Sequence, residues 1–305
     1  MNGPAAQSEP RHVPVLPVEV LQLLAPQPGQ TFVDATVGVG GHARLLAEQL
    51  GPTGRLIGLD QDSSMLEVAQ SRLQGFPVTL MQANFDQLRE VLDHLHLQTV
   101  DGVLADLGIC SDQLDQAERG FSFQQEGPLD MRLDTSHGEP ASTLLRRLSE
   151  RELADLIWQY GEERFSRRIA RRIVEARRQA PLETTQQLAE LVRRCVPRQK
   201  GRHTIDPATR TFQALRIAVN DELAALEGLL QVLPRCVAPG GRVAVISFHS
   251  LEDRRVKQTF ANRERWEVLT RKPVQAQEEE AQRNPRARSA KLRAARRKAE
   301  DGGDT

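Results

Sequence analysis

Short apolar runs alternate with amphipathic segments over most of this chain. Thr31 to Thr36 (TFVDAT) and the run ending in Asp60 (RLIGLD) predict buried strands, separated by a glycine-rich turn and a helix from about His42. Pro77 to Ala83 and Val100 to Leu107 predict a third and a fourth strand. After the turn Ala238-Pro-Gly-Gly241, Arg242 to Phe248 (RVAVISF) predicts another buried strand, and Trp266 to Thr270 a last one at the sheet edge. Strands alternating with helices imply an α/β fold, a mostly parallel Rossmann-like sheet covered on both faces. Ligands of such sheets bind at the carboxyl ends of the strands, where Asp34, the glycines, Asp60, Phe85 and Asp106 fall.

The alternation is interrupted. The fourth strand ends near Gly108, and the sheet pattern resumes only near Val232. The residues between are helical in pattern, as in Ser149 to Tyr160 and Pro181 to Val196. The reading is a discontinuous sheet domain, 1–112 and 212–305, with an inserted helical domain, 113–211, suited to recognising a substrate. Within the insert, Phe165, Ile169, Ile173 and Ala176 form an apolar stripe, while Arg164, Arg167, Arg168, Arg171 and Arg178 gather on another side.

Charge adds to this picture by its distribution. The 305 residues carry 41 basic and 41 acidic side chains, so the net charge is zero. Yet the segment from Arg283 to Lys298, read as a C-terminal tail able to hold RNA, holds eight Lys/Arg and no acid, and Arg193 to His203 forms a further basic, loop-like stretch that includes Arg198, Lys200 and Arg202. Three such concentrations in a neutral chain favour a polyanionic partner over a merely solvated face. Cys110, Cys195 and Cys236 are odd in number and far apart, and the seven histidines lack ligand spacing, so neither a disulfide framework nor a metal site is expected. No run has membrane-spanning length and MNGPAAQSEP has no signal-peptide pattern, so a cytoplasmic protein is expected.

The chemistry centres on TFVDATVGVGGHARLLAEQLGPTGRLIGLD, Thr31 to Asp60. Gly38, Gly40 and Gly41 let backbone pass where a Cβ would clash, and a carboxylate ending the next strand can accept ribose hydroxyls. Two adenosine-bearing cofactors compete. Gly38-x-Gly40-x-x-Ala43 with Asp60 fits the dinucleotide pattern. Asp34 tilts the choice toward S-adenosyl-L-methionine, because a nearby carboxylate repels a pyrophosphate and attracts a sulfonium and an ammonium.

Longer motifs carry a resemblance. HVPVL (His12 to Leu16), DATVGVGGH (Asp34 to His42), DLGICSDQLDQAERGFSF (Asp106 to Phe123), GPLDMRLD (Gly127 to Asp134), YGEERFSRRIARRIV (Tyr160 to Val174), ATRTFQALRIAVN (Ala208 to Asn220), APGGRVAVISFHSLEDRRVK (Ala238 to Lys257) and NPRARSAKLR (Asn284 to Arg293) stand in order. Together they resemble the bacterial ribosomal RNA methyltransferase family known as RsmH or MraW. The resemblance implies a class I S-adenosylmethionine-dependent methyltransferase fold with an inserted helical domain. It implies methylation of N4 of a cytidine in 16S rRNA, with the rRNA or the small ribosomal subunit as partner, no membrane, and a homodimer left open.

Carried over by position, the cofactor contacts are Gly40, Gly41, His42, Asp60, Phe85, Asp106 and Gln113, of which His42 and Gln113 rest on the resemblance alone. Asp106, beside the methyl to be transferred, is the catalytic candidate. Phe121, Phe123 and Arg132 are candidates for the wall of a base pocket, His249 in SFHSLED for substrate contact, and Arg168 and Arg171 for RNA. The chain departs from the family at Cys110 and Asp112, where Ser and Pro are usual. Transfer to an exocyclic amine needs no covalent intermediate, so Cys110 is not expected to act as a nucleophile.

Overall fold

The computed structural model describes residues 13–197 and 205–299, and the chain folds into two compact units. The first comprises the described residues up to Cys110 and those from Ala224 onward; the second is Ser111–Leu223. The second unit thus reaches Leu223 rather than residue 211.

In the first unit, α1 (Pro17–Leu24) precedes β1 (Thr31–Asp34), α2 (Gly41–Leu50), β2 (Arg55–Asp60), α3 (Ser63–Arg72), β3 (Val78–Gln82), α4 (Leu88–His94) and β4 (Val100–Asp106). The second unit carries α5 (Ser111–Asp115), α6 (Ala141–Arg147), α7 (Glu150–Gly161), α8 (Ser166–Arg177), α9 (Thr185–Cys195) and α10 (Thr209–Val219). The chain then continues through α11 (Glu222–Cys236), β5 (Val237–Ser247), α12 (Ser250–Phe260), β6 (Trp266–Val268), α13 (Glu278–Arg283) and β7 (Lys291–Arg297). The sheet order is β3-β2-β1-β4-β5-β7-β6, parallel except for β7. This is the expected Rossmann-like α/β sheet, and β6 forms the expected edge.

Alternate residues of each strand face opposite sides, and both sides are apolar. Val33, Ile57, Val103 and Val245 join Leu92, Leu229 and Leu233 in one cluster. Phe32, Leu56, Leu104 and Ile246 join Leu24, Leu46 and Leu50 in the other. That two-faced burial explains why these strands read as unbroken apolar runs. Each large side chain so buried contributes roughly 1.5–3 kcal/mol. Gly102 is required here, since a Cβ would lie 2.2 Å from the Phe32 ring.

Two expectations are corrected. Ala238-Pro-Gly-Gly241 is an irregularity inside β5: Val100 pairs with Val237 and Gly102 with Arg242, so the extra residues loop out of the ladder. The basic segment after Arg283 is not a tail. Its Lys291–Arg297 part is β7, hydrogen-bonded between β5 and β6. Arg293 is buried against Asp253 (2.6 Å), and buried Arg297 donates to the Pro234 carbonyl (3.0 Å), which removes both guanidinium groups from any polyanion. His12, Arg198, Lys200, Arg202 and His203 lie outside the described residues.

In the second unit, α7 starts at a capping box in which Ser149 and Glu152 each accept the other's backbone N–H. On α8, Ile169, Ala170, Ile173 and Val174 are buried, while Arg167, Arg168 and Arg171 on the helix, Arg164 before it and Arg178 after it are exposed.

Candidate active site

Three parallel strands end side by side in carboxylates: β1 in Asp34, β2 in Asp60 and β4 in Asp106. The loop after β1 is stitched to its neighbours. Ala35 N–H donates to Leu104 O (2.8 Å), Val37 N–H to Leu59 O (2.8 Å), and Asp106 N–H to Thr36 Oγ1 (2.7 Å). Gly40 then caps α2 at φ 88°, a left-handed conformation natural to glycine.

Asp34 is 1% exposed, and its Oδ1 accepts from Thr36 N–H at 3.2 Å. Its Oδ2, like Asp106 Oδ1, is buried and accepts no hydrogen bond from the described residues. Burial pushes the Asp34 carboxyl up to about 7 against the Thr36 hydrogen bond, and the nearby Asp106 and Asp60 raise it further. Asp106 is also raised to about 7, chiefly by desolvation; Arg286 opposes that shift and Glu252 adds to it. His42, 6% exposed on α2, brings Nε2 within 3.8 Å of Asp106 Oδ2.

Asp60 occupies a different setting. Its Oδ2 accepts from Gly38 N–H (2.8 Å) and its Oδ1 from Asp62 N–H (2.9 Å), so it holds the glycine loop. Phe85 begins the short 3₁₀ turn after β3 and packs only in part against the core, leaving ring surface open. Gly41 is the first residue of α2.

The remaining candidates separate. Gln113 is buried on α5 in the second unit. Phe121, 7% exposed, belongs to that unit's interior with Arg119 over its ring. Half-buried Phe123 meets Phe212 edge-on at 4.9 Å, and Arg193 lies 5.5 Å from its ring centre. Arg132 directs its guanidinium at Asp130 (2.7 and 2.8 Å) and at Thr135 O (2.9 Å), the signature of a loop clamp. Against its own desolvation, the Asp130 carboxyl is held below its ordinary range by these Arg132 contacts. His249 caps α12: its Nδ1 accepts from Glu252 N–H at 3.4 Å, and its Nε2 lies 3.1 Å from Glu252 Oε1. Arg168 is exposed, and Arg171 stands 3.6 Å from Glu150. Cys110 Sγ lies 3.4 Å from Met65 Sδ.

Sequence reasoning assigned no role to Arg286, although it lies within the NPRARSAKLR motif. Its guanidinium sits 5.6 Å from the Phe248 ring centre, donates to Ile109 O, and is the cation that most opposes the raised pKa of Asp106.

The sequence profile of the MraW methylase family matches residues 9–298. The chain belongs to that family. A relative from Sorangium cellulosum (strain So ce56), "Ribosomal RNA small subunit methyltransferase H", is 53% identical over 97% of this chain and 95% of its own. Proteins of the same name from Syntrophotalea carbinolica (53% identical, 94% of this chain, 98% of theirs) and Symbiobacterium thermophilum (49%, 93% and 95%) match similarly. For an MraW methylase, the two unpartnered buried oxygens have a ready meaning. A buried anion is tolerated when a cation lies against it, and S-adenosylmethionine brings two. The residues fit that cofactor.

Proposed function

We propose that this MraW methylase transfers methyl from S-adenosylmethionine to the N4 amino group of a cytidine in 16S rRNA of the small ribosomal subunit. The observation that carries the cofactor reading is the pair Asp34 and Asp106, buried with unpartnered oxygens beside a glycine loop. The ribosomal substrate rests on the names of the relatives and on the cationic face of α8.

Asp60 would take the ribose, Phe85 the adenine face, Gly40 and Gly41 the close approach of backbone, and Asp34 the cationic end. Gln113 is carried by the family pattern alone. When bound, S-adenosylmethionine supplies an electrophilic methyl on a sulfonium. A cytosine amino group is a weak nucleophile because its lone pair is delocalised into the ring. Asp106 can accept an N–H from it, which favours the pyramidal nitrogen needed for attack, and alignment supplies much of the remainder. Asp106, at the end of β4, is also placed to take the departing proton. His42 brings Nε2 within 3.8 Å of the same carboxylate.

A cytidine in folded RNA must be splayed out to be reached. Phe123 on the second unit and His249 on the first are each proposed as a substrate contact of its own unit, with Arg164, Arg167, Arg168 and Arg171 on phosphates. Arg132 clamps its own loop, and Phe121 packs inside the second unit. Calorimetry with S-adenosylmethionine and with NAD separates this reading from a dehydrogenase. Binding of the first and not the second is expected; the reverse overturns the proposal, since a pyrophosphate would face Asp34.

A further inference from the structure

On the first unit, a groove of about 810 Å³ runs along the sheet edge between α12 and β6, far too large for a single ion. Lys257 from α12, Arg263 from the turn before β6, Arg271 after it and Lys298 after β7 line it, all exposed. None of these four pairs with an acid among the described residues; Lys298 Nζ donates to the Arg263 carbonyl (3.0 Å). The one acid in the lining, Glu267, lies 3.1 Å from Arg296. Other exposed cations, such as Arg44, Arg147 and Arg172, stand against an acid (Glu48, Glu139 and Glu175), so an acid partner is within reach of such side chains where one is provided. In a chain of zero net charge, four cations along one groove with no acid partner among the described residues form a local field that suits a polyanion.

We infer that this β6-edge groove is a second RNA-binding surface, which grips the sugar–phosphate backbone away from the methyl-transfer site. The inference rests on the ribosomal RNA reading above. Three strand-to-strand steps of roughly 4.8 Å separate β4, which ends in Asp106, from β6, so the groove lies at least about 14 Å away across the sheet. The recognition is of phosphates and not of bases. Trp266 and Phe260, the aromatic residues of the lining, are each 2% exposed and packed on one another at 5.5 Å, so neither offers a face for stacking. The surface therefore adds affinity and orientation without selecting sequence.

The competing explanation is that these cations guard a sheet edge against strand pairing with another chain. The full-length protein carrying Lys257→Gln, Arg263→Gln, Arg271→Gln and Lys298→Gln distinguishes the two. Its binding to small ribosomal subunits and to 16S rRNA is measured across a salt series, with a Lys257→Glu/Arg271→Glu variant as a stronger perturbation. Each lost phosphate contact lowers the log–log salt slope by about 0.7 to 0.9, so the slope should fall by roughly 3. RNA affinity should drop at least tenfold, and KM for RNA should rise with kcat and S-adenosylmethionine affinity unchanged. Parental RNA affinity and slope in both variants, whether or not they self-associate, would overturn the inference. A parent protein that methylates no rRNA would instead refute the underlying functional reading.

Discussion

Replacing Asp34 by Asn should weaken cofactor binding and stabilise the unliganded protein at the same time. The folded state holds this carboxyl at about 7, against an ordinary 3.8, because burial disfavours the anion. A raised carboxyl pKa means that the folded protein binds more protons than the unfolded chain between about pH 4 and pH 7. Stability therefore declines as pH rises through that window, and at pH 8 the buried charge costs on the order of 4 kcal/mol. Asn keeps the acceptor for Thr36 N–H and removes the charge, but leaves a buried amide without an acceptor, worth about 1–3 kcal/mol in the other direction. The net expectation is a gain of roughly 1–3 kcal/mol at pH 8 that falls to about zero near pH 5 and turns into a loss of about 1–3 kcal/mol below pH 4, where only the amide penalty remains. A bound cation requires the ionised carboxylate. Parental affinity for S-adenosylmethionine should therefore rise by up to about tenfold per carboxylate from pH 6 to pH 7.5, and level off as the ligand's own α-amino group titrates. Thermal unfolding and calorimetry at pH 6, 7.5 and 8 read both effects. An Asn variant with parental affinity and pH dependence, or one less stable than the parent at pH 8, would refute the reasoning.

Asp60→Ala should lower S-adenosylmethionine affinity at least tenfold and also lower the melting temperature, because Asp60 holds the Gly38 and Asp62 amides; unchanged affinity by calorimetry would misplace the ribose. Cys110→Ser should methylate at near the parental rate, since amine transfer needs no thiolate; loss by orders of magnitude with a trapped protein–RNA adduct would point to carbon 5 chemistry. Changing Arg164, Arg167, Arg168 and Arg171 to Gln should weaken RNA binding and flatten its salt dependence while leaving cofactor affinity intact, and a filter-binding salt series matching the parent's would make that face a solvated surface.

What could be read in advance follows from where burial is two-sided. β1, β2 and β4 are covered on both faces, so their apolar runs are unbroken and their terminal carboxylates stood out. β7 escaped because its sequence, KLRAARR, places arginines in a strand, and only a fold can supply Asp253 and the Pro234 carbonyl as partners. The same blindness to partners made Arg132 look available, when its guanidinium is committed to Asp130 and Thr135. His42 was named through family resemblance, and its approach to Asp106 depends on a helix packing that no local pattern encodes. Arg286 lies 180 residues from Asp106 in number and comes near it only through the sheet. Asp34, by contrast, was chosen on charge alone.

The central claim is tested most directly by incubating the full chain with S-adenosylmethionine carrying a labelled methyl and with small ribosomal subunits or 16S rRNA, then digesting the RNA to nucleosides. The expected result is label in N4-methylcytidine, lost when Asp106 is replaced by Asn. Label in 5-methylcytidine or in another nucleoside, or no label with a cofactor-binding protein and competent RNA, would contradict it.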